Sequence, residues 1–424
     1  MKSSKKAEPK SNDEERILRK LFPSSAMYNS LDNAKLSSSY QNILHELTNS
    51  FLNGGFSVGG YIGYPMLKGT SKSIGQNLSQ LQEVSNTLHQ RGIIKGSVPG
   101  IKKPIKSERE CAQAISIFYA DVDHLANKGN KLVIKKKCQQ FSFTTLKGSD
   151  KKYLGGLKDL QAYVQSNLNG LEGFYLHGSF ATKDYVLGWS DVDTIAIISD
   201  ASMRDPKKLI ALRGKLYQLR KFFYAIDPLQ HHGITLITKK DMERYPAPYF
   251  PLEIFPYAQS LLKQDREYTF RVRESYTEAL QALFYFIDFF RKLHSERHGS
   301  FSSYTQKYIF HAISLFPALY LQALGINMYK KFTFDYAKKH FSKKEWQVID
   351  QVTKIRDDWK QKKMIGITTF YEKLNPLVSH RANAAINDLF SSSVLNKEEM
   401  KKMIADMVIL SEKGWQRVLE ESRL

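Results

Sequence analysis

Apolar positions along this chain recur with periods of 3.6 and 2, and the switches between the two mark out its elements. SIGQNLSQLQEVSNTLHQ has helical spacing and predicts a helix from about Ile74 to Gln90. Ser107 with Glu110 three residues later is a capping-box pattern, predicting a helix that runs on to about Gly129. Short strands are expected at Lys131–Lys135 and Gln139–Thr145, then a helix with Leu157, Leu160, Tyr163, Val164 and Leu168 on one face. GFYLH (Gly173–His177) and DVDTIAIIS (Asp191–Ser199) read as apolar strands, the second with the continuous run of a central strand. Asp205–Ala225 is an amphipathic helix with Lys207, Lys208, Arg213, Lys215, Arg220 and Lys221 expected outside, and GITLIT (Gly233–Thr238) is a third strand. Beyond about Pro256 the pattern is helical almost throughout. It includes an aromatic-rich central helix (Ser275–His298), a buried stretch bent at Pro317 (Tyr308–Gly325), and a basic helix from Asp335 to Lys363. Trp346, Ile349, Val352, Ile355 and Trp359 trace an apolar stripe along that last helix, a core pattern more than a base-stacking one.

The expected fold is therefore α+β. A flexible basic tail (1–23) and a mostly helical region (24–150) precede a mixed-sheet core (151–255), and a helical domain (256–424) closes the chain. There is no internal repeat. With 424 residues, 42% of them apolar and 12% aromatic, the chain can bury a large core, which excludes global disorder. No stretch reaches the roughly 18 uninterrupted apolar residues of a membrane span, and the polar N-terminus does not read as a secretory signal. Two cysteines, Cys111 and Cys138, exclude a disulfide framework and a multi-thiolate zinc site, so a reducing, cytoplasmic setting is expected. The net charge of +21 attracts phosphate-rich partners, RNA among them. Of the 63 basic residues 46 are Lys, however, and Lys-heavy surfaces also serve solubility.

Candidate chemistry is concentrated in one segment. The Gly-rich stretch Gly54–Gly69 has neither P-loop nor dinucleotide-fingerprint order and reads as a turn-rich loop. In LHGSFATKDYVLGWSDVDTIAII, by contrast, Gly178-Ser179 follows one apolar strand and Asp191-Val192-Asp193 opens the next. A Gly-Ser turn at a strand end lets a phosphate approach backbone N–H groups and adds a hydroxyl donor. Asp191 and Asp193, at i and i+2 on a strand, share a face, and two close carboxylates call for a hard divalent cation such as Mg²⁺. Asp121-Val122-Asp123 repeats the letters, but within a predicted helix and with no Gly-Ser before it, and reads as structural.

The segment from Gly173 to Met242 resembles the polymerase β-like nucleotidyltransferase superfamily, whose motif is an apolar strand, Gly-Ser, about ten residues, then Asp-x-Asp in the next strand. The helical half behind it is similar to the layout of kanamycin-type and minimal nucleotidyltransferases. The resemblance implies a nucleotidyltransferase core in which Asp191 and Asp193 hold Mg²⁺ (or Mn²⁺) and Gly178, Ser179 and Lys183 bind the phosphates of an NTP. An NMP would then pass to a hydroxyl on RNA, protein or a small molecule. The superfamily usually supplies a third carboxylate from a later strand; Thr235 stands at that place here. Asp227, His231 and His232 lie just before the strand, and Asp227 or His232 is the expected base. Tyr185 and Trp189 either stack on a base or pack their loop. A catalytically degenerate nucleotide- or RNA-binding protein is the alternative. A third reading is a HEPN-like ribonuclease, on the resemblance of Arg291 and His298 to the Arg…His motif of that family.

Overall fold

The computed structural model describes residues 21, 25–53, 72–95, 100, 105–125, 130–142, 154–262, 266–296, 301–359, 382 and 394–421. The tail over 1–20, the loop Gly54–Gly69 and His298 lie outside the described residues.

Helices α1 (Asn33–Asn53), α2 (Lys72–Gln90) and α3 (Glu108–Asp121) precede the first strand. Ser107 caps α3 by accepting the Glu110 N–H at 3.2 Å, as its capping-box pattern requires, and α3 gives way to a short 3₁₀ turn at Val122–His124. The sheet is mixed and seven-stranded, in the order β4-β3-β2-β6-β1-β7-β5. Its members are β1 (Asn130–Gln140), β2 (Leu171–Leu176), β3 (Thr194–Ile198), β4 (Ile234–Thr238), β5 (Tyr245–Pro246), β6 (Gln259–Ser260) and β7 (Arg266–Arg273). β2 pairs antiparallel with β3, and β3 pairs parallel with β4. Helix α4 (Gly155–Asn167) leads into β2, α5 (Gly178–Thr182) and α6 (Asp200–Met203) follow β2 and β3, and α7 (Pro206–Ile226) crosses over to β4. A five-residue α8 (Lys239–Glu243) follows β4.

Alternation of side chains explains why the central strands are apolar throughout. Phe174, Leu176, Ala196 and Ile198 face the core shared with α1–α4 and α7, whereas Tyr175, Ile195 and Ile197 face a second core with Tyr245, Phe255 and Phe270. The C-terminal helices build a third core: α9 (Tyr276–Ser295), α10 (Ser303–Ile313), α11 (Phe316–Ala323), α12 (Lys330–Lys338), α13 (Lys343–Asp357) and α14 (Lys397–Glu421). Trp189 and Leu229 belong to that third core, so the helices dock on the loops that follow β2 and precede β4.

The structure differs from the sequence pattern in several places. β3 begins only at Thr194, so Asp191 and Asp193 lie in the loop before it and not on the strand, and α3 ends at Asp121 instead of near Gly129. In place of the two strands expected from Lys131 onward, β1 is continuous from Asn130 to Gln140, because it runs antiparallel to β7 from Asn130↔Arg273 to Cys138↔Arg266; Phe143–Thr145 of the second expected strand lie outside the described residues. β6 and β7 extend the sheet past residue 256, where only helices were expected; β7 alternates buried Tyr268 and Phe270 with exposed Glu267, Thr269 and Arg271. Arg213 and Arg220, expected on the outside of α7, are buried at 1% and 3% exposure. Arg213 donates to the Phe51 carbonyl and pairs with Glu108, while Arg220 donates to the Asn53 carbonyl. Both thus close the exposed end of α1, where helix carbonyls lack partners. Pro317 does not bend one helix but separates two, as the first turn of α11.

Both cysteines are buried free thiols, Cys111 and Cys138, each pushed up to about 12 by burial. Among the described residues no helix is long and apolar enough to cross a membrane.

Candidate active site

The site is assembled where β2 ends and β3 begins. His177 continues the β2 ladder by donating to the Asp193 carbonyl at 3.0 Å, and Gly178 then turns at φ +65° into the five-residue α5. A Cβ at Gly178 would stand 2.5 Å from Asp193 Oδ2. Both the positive φ and this close approach require glycine. The Gly-Ser step and the second aspartate of the DxD are therefore in contact. Lys183 sits at the opposite end of α5, as its left-handed C-cap at φ 61°, away from the N–H groups of Gly178 and Ser179.

Asp191 is 2% exposed and Gln230 is fully buried. Gln230 fastens the DxD loop to the segment before β4: it accepts the Val192 N–H at 2.9 Å and donates to the carbonyls of Val192 and His232. That fastening brings Asp227, His231 and His232 to Asp191. From the far side α10 inserts Lys307, wholly buried, whose Nζ donates to Asp191 Oδ1 at 2.7 Å and also to Asp227 Oδ2. One turn later on the same helix face, His311 places Nδ1 3.6 Å from Asp191 Oδ2.

Two carboxylates share one ammonium. Burial opposes the charge on Lys307, but Asp191 and Asp227 outweigh it and hold the lysine above its ordinary value. Burial would also raise Asp191, yet Lys307, His231 and His311 keep its carboxyl well below the usual carboxylate range. Asp227 is pushed well above that range, first by burial and then by the charge of Asp191, despite Lys307. Asp193 rises to about 7 through burial and repulsion from Asp191, partly offset by the nearby Lys330. Lys330, at the start of α12, is itself lowered by burial.

Among the described residues, Asp191, His231, His232 and His311 form a group able to hold a metal ion, with one ligand atom each and all four atoms within 4.8 Å of one another. His231 Nδ1 lies 2.9 Å and His232 Nε2 3.5 Å from Asp191 Oδ2. His232 is the outermost, its side chain 49% exposed.

A cleft of about 310 Å³ opens beside α5, lined by Thr182, Tyr257, Gln259, Tyr329, Lys331 and Phe332 among others. Tyr257 stacks on Tyr329 at 4.9 Å. None of the Asp191 cluster lines this cleft. Lys330, whose charge acts on Asp193, adjoins it in the chain between Tyr329 and Lys331.

Of the residues singled out in the sequence, Gly178, Asp191, Asp193, Asp227, His231 and His232 come together. Trp189 and Tyr185 pack their loop: Trp189 is buried against Phe310, His311 and Trp359, and Tyr185 stacks on Phe180. The stripe residues Trp346, Ile349 and Val352 are core. Asp123 is held by Arg204 and Lys240, and Asp121 accepts from Tyr40, as structural acids do. Arg291 pairs with Glu412 of α14. Lys307, His311 and Gln230 were not singled out in the sequence. The one local signal was a lysine and a histidine four apart, which puts them on one face of a helix.

No family model, curated protein or solved structure matches this chain.

Proposed function

We propose that this chain is a nucleotidyltransferase, moving a nucleoside monophosphate from an NTP to a hydroxyl acceptor with release of pyrophosphate. The observation that carries this reading is the contact between Gly178 and Asp193, which leaves no room for a side chain on the turn. The Gly-Ser turn and the Asp-Val-Asp loop before β3, separate in sequence, are thereby adjacent in space.

Each group then has a defined task. Gly178 lets the turn pack against Asp193, and Ser179 offers a hydroxyl donor to phosphate oxygens. Lys330, beside Asp193, supplies positive charge for the triphosphate. The stacked Tyr257–Tyr329 wall offers a flat apolar face to the base. The acceptor oxygen attacks the α-phosphorus, a new P–O bond forms, and the bond to the bridging oxygen breaks so that pyrophosphate leaves. The acceptor proton goes to His232, the most exposed of the three imidazoles, 3.5 Å from the carboxylate that orients it. Asp227 is enclosed with Lys307 at 1% exposure, out of reach of an acceptor. Mg²⁺ favours an all-oxygen shell. Asp191 does not offer one, since Lys307 holds Oδ1 and imidazole nitrogens surround Oδ2. The transfer chemistry accordingly rests on the chain's own groups.

The test is incubation with each α-labelled NTP and cell extract, in separate reactions with Mg²⁺, Mn²⁺ and Zn²⁺, beside Asp193→Ala. Transfer of label by the wild type, reduced at least a hundredfold in Asp193→Ala, is the expected result. Equal transfer by the variant, or none by the wild type with any nucleotide and ion, rejects the proposal.

A further inference from the structure

The environment of Asp191 Oδ2 is unusual for a buried carboxylate oxygen. Its side chain is 1% exposed and Oδ2 has no hydrogen-bond partner, and buried His231 Nδ1, 2.9 Å away, has none either. The two stand at ion-pair distance without hydrogen-bond alignment, as two donors turned toward one shared ion would.

His311 sharpens the point. Its Nε2 lies 3.1 Å from the Trp189 carbonyl oxygen, which can only accept, so Nε2 carries the ring proton. Nδ1 then turns a lone pair toward Asp191 Oδ2 at 3.6 Å. A lone pair aimed at a carboxylate oxygen is repulsive without a cation. A histidine anchored through its other nitrogen by a backbone carbonyl is the usual outer-shell arrangement of a metal ligand. Donors about 2.0–2.1 Å from one ion stand roughly 2.9–3.4 Å apart at angles between 90° and tetrahedral; His231 Nδ1, 2.9 Å from Asp191 Oδ2, falls in that range, and His311 Nδ1, at 3.6 Å, would close slightly on the ion.

The donors also indicate the kind of ion. Neutral imidazoles suit Zn²⁺, Co²⁺ and related ions, whereas Mg²⁺ prefers carboxylates, carbonyls and water. Lys307 already neutralises Asp191 Oδ1 and Asp227, the side on which a second, oxygen-bound ion would sit.

We propose that Asp191 Oδ2, His231 Nδ1 and His311 Nδ1 bind one divalent ion of the Zn²⁺/Co²⁺ class in preference to Mg²⁺, with its open position toward His232 and solvent, and with Lys307 standing in place of a second ion. This site does not depend on the nucleotidyl-transfer proposal, and its test reads binding alone.

Full-length protein stripped of metal is titrated with Co²⁺, followed by the visible absorption of the bound ion and by metal analysis after gel filtration. The expected result is one equivalent of Co²⁺, displaced by equimolar Zn²⁺ and unaffected by a thousandfold excess of Mg²⁺. Loss of an outer-shell partner alone weakens metal binding about 10–100-fold, so His311→Gln and His231→Asn are each expected to weaken it by at least tenfold. His231 lies in a loop outside any helix, so His231→Asn gives a reading even if His311→Gln disturbs α10; circular dichroism confirms that each variant is folded. Failure of the folded wild type to retain Co²⁺ or Zn²⁺, displacement by Mg²⁺, or unchanged binding in a folded variant would overturn the proposal.

Discussion

At the scale of single residues, Lys307 decides most. An ammonium with no exposed surface is tolerable only because two carboxylates meet it, Asp191 Oδ1 at 2.7 Å and Asp227 Oδ2. Removing one partner of such a group leaves uncompensated buried charge, which typically costs about 3–5 kcal/mol. Lys307→Met is therefore expected to lose about that much stability in urea unfolding. Asp191, held ionised, is the acid left stranded, so adding Asp191→Asn should recover part of the loss. If the double variant is no more stable than Lys307→Met, the ammonium does not hold the two acids together. The same residue shows where sequence reading stops. A lysine between Gln306 and Tyr308 reads as a surface residue, and nothing local indicates that its partners lie 116 and 80 positions earlier.

At the scale of elements, helix caps and apolar strands were readable because their physics is local. Ser107 with Glu110 and the continuous apolar run of β3 each depend on neighbours within a few residues. Ser342 and Glu345 form a second capping box: Ser342 N–H donates to Glu345 Oε2 at 2.8 Å, and Glu345 N–H to Ser342 Oγ at 3.3 Å. Lys413 and Arg417 of α14 reach the same carboxylate, so this cap also joins α13 to α14. The hydrogen bond from Lys413, then that from the Ser342 backbone, depress Glu345 from 4.5 to about 2. A depressed carboxylate stabilises the fold fully above its unfolded pKa, and that contribution fades as pH falls through the folded value. Wild type should thus exceed Glu345→Gln by on the order of 0.5–1 kcal/mol at pH 6. The gap should close between pH 4.5 and about 2, measured by denaturant unfolding across that range. A gap independent of pH would show that the charge contributes nothing. β7 was missed at this scale because its alternating apolar residues are set among four charged ones and lie next to long helical patterns. Pairing with β1, more than a hundred residues earlier, is what makes it a strand.

At the scale of the whole molecule, the net charge of +21 sets long-range behaviour. Phosphate contacts release counterions, so an RNA bound through this field should lose about 10³–10⁵ in affinity between roughly 50 and 200 mM salt if 6–10 phosphates are engaged. Filter binding of a generic RNA across that range measures the slope; a flat response would mean that the charge serves solubility and the acceptor is small. The sequence by itself determined what depends on near neighbours: the α+β class, the central strands β2–β4, most helices, and the Gly-Ser and DxD elements with their spacing. Tertiary structure alone decided the width of the sheet, the burial of Arg213 and Arg220, and the company Asp191 keeps. Lys307 and His311 arrive on α10, and Asp227, His231 and His232 are held in place through Gln230. The reason is physical. Local periodicity records which side of an element is apolar, whereas a buried polar cluster exists only where several elements bring charges and lone pairs close enough to satisfy one another.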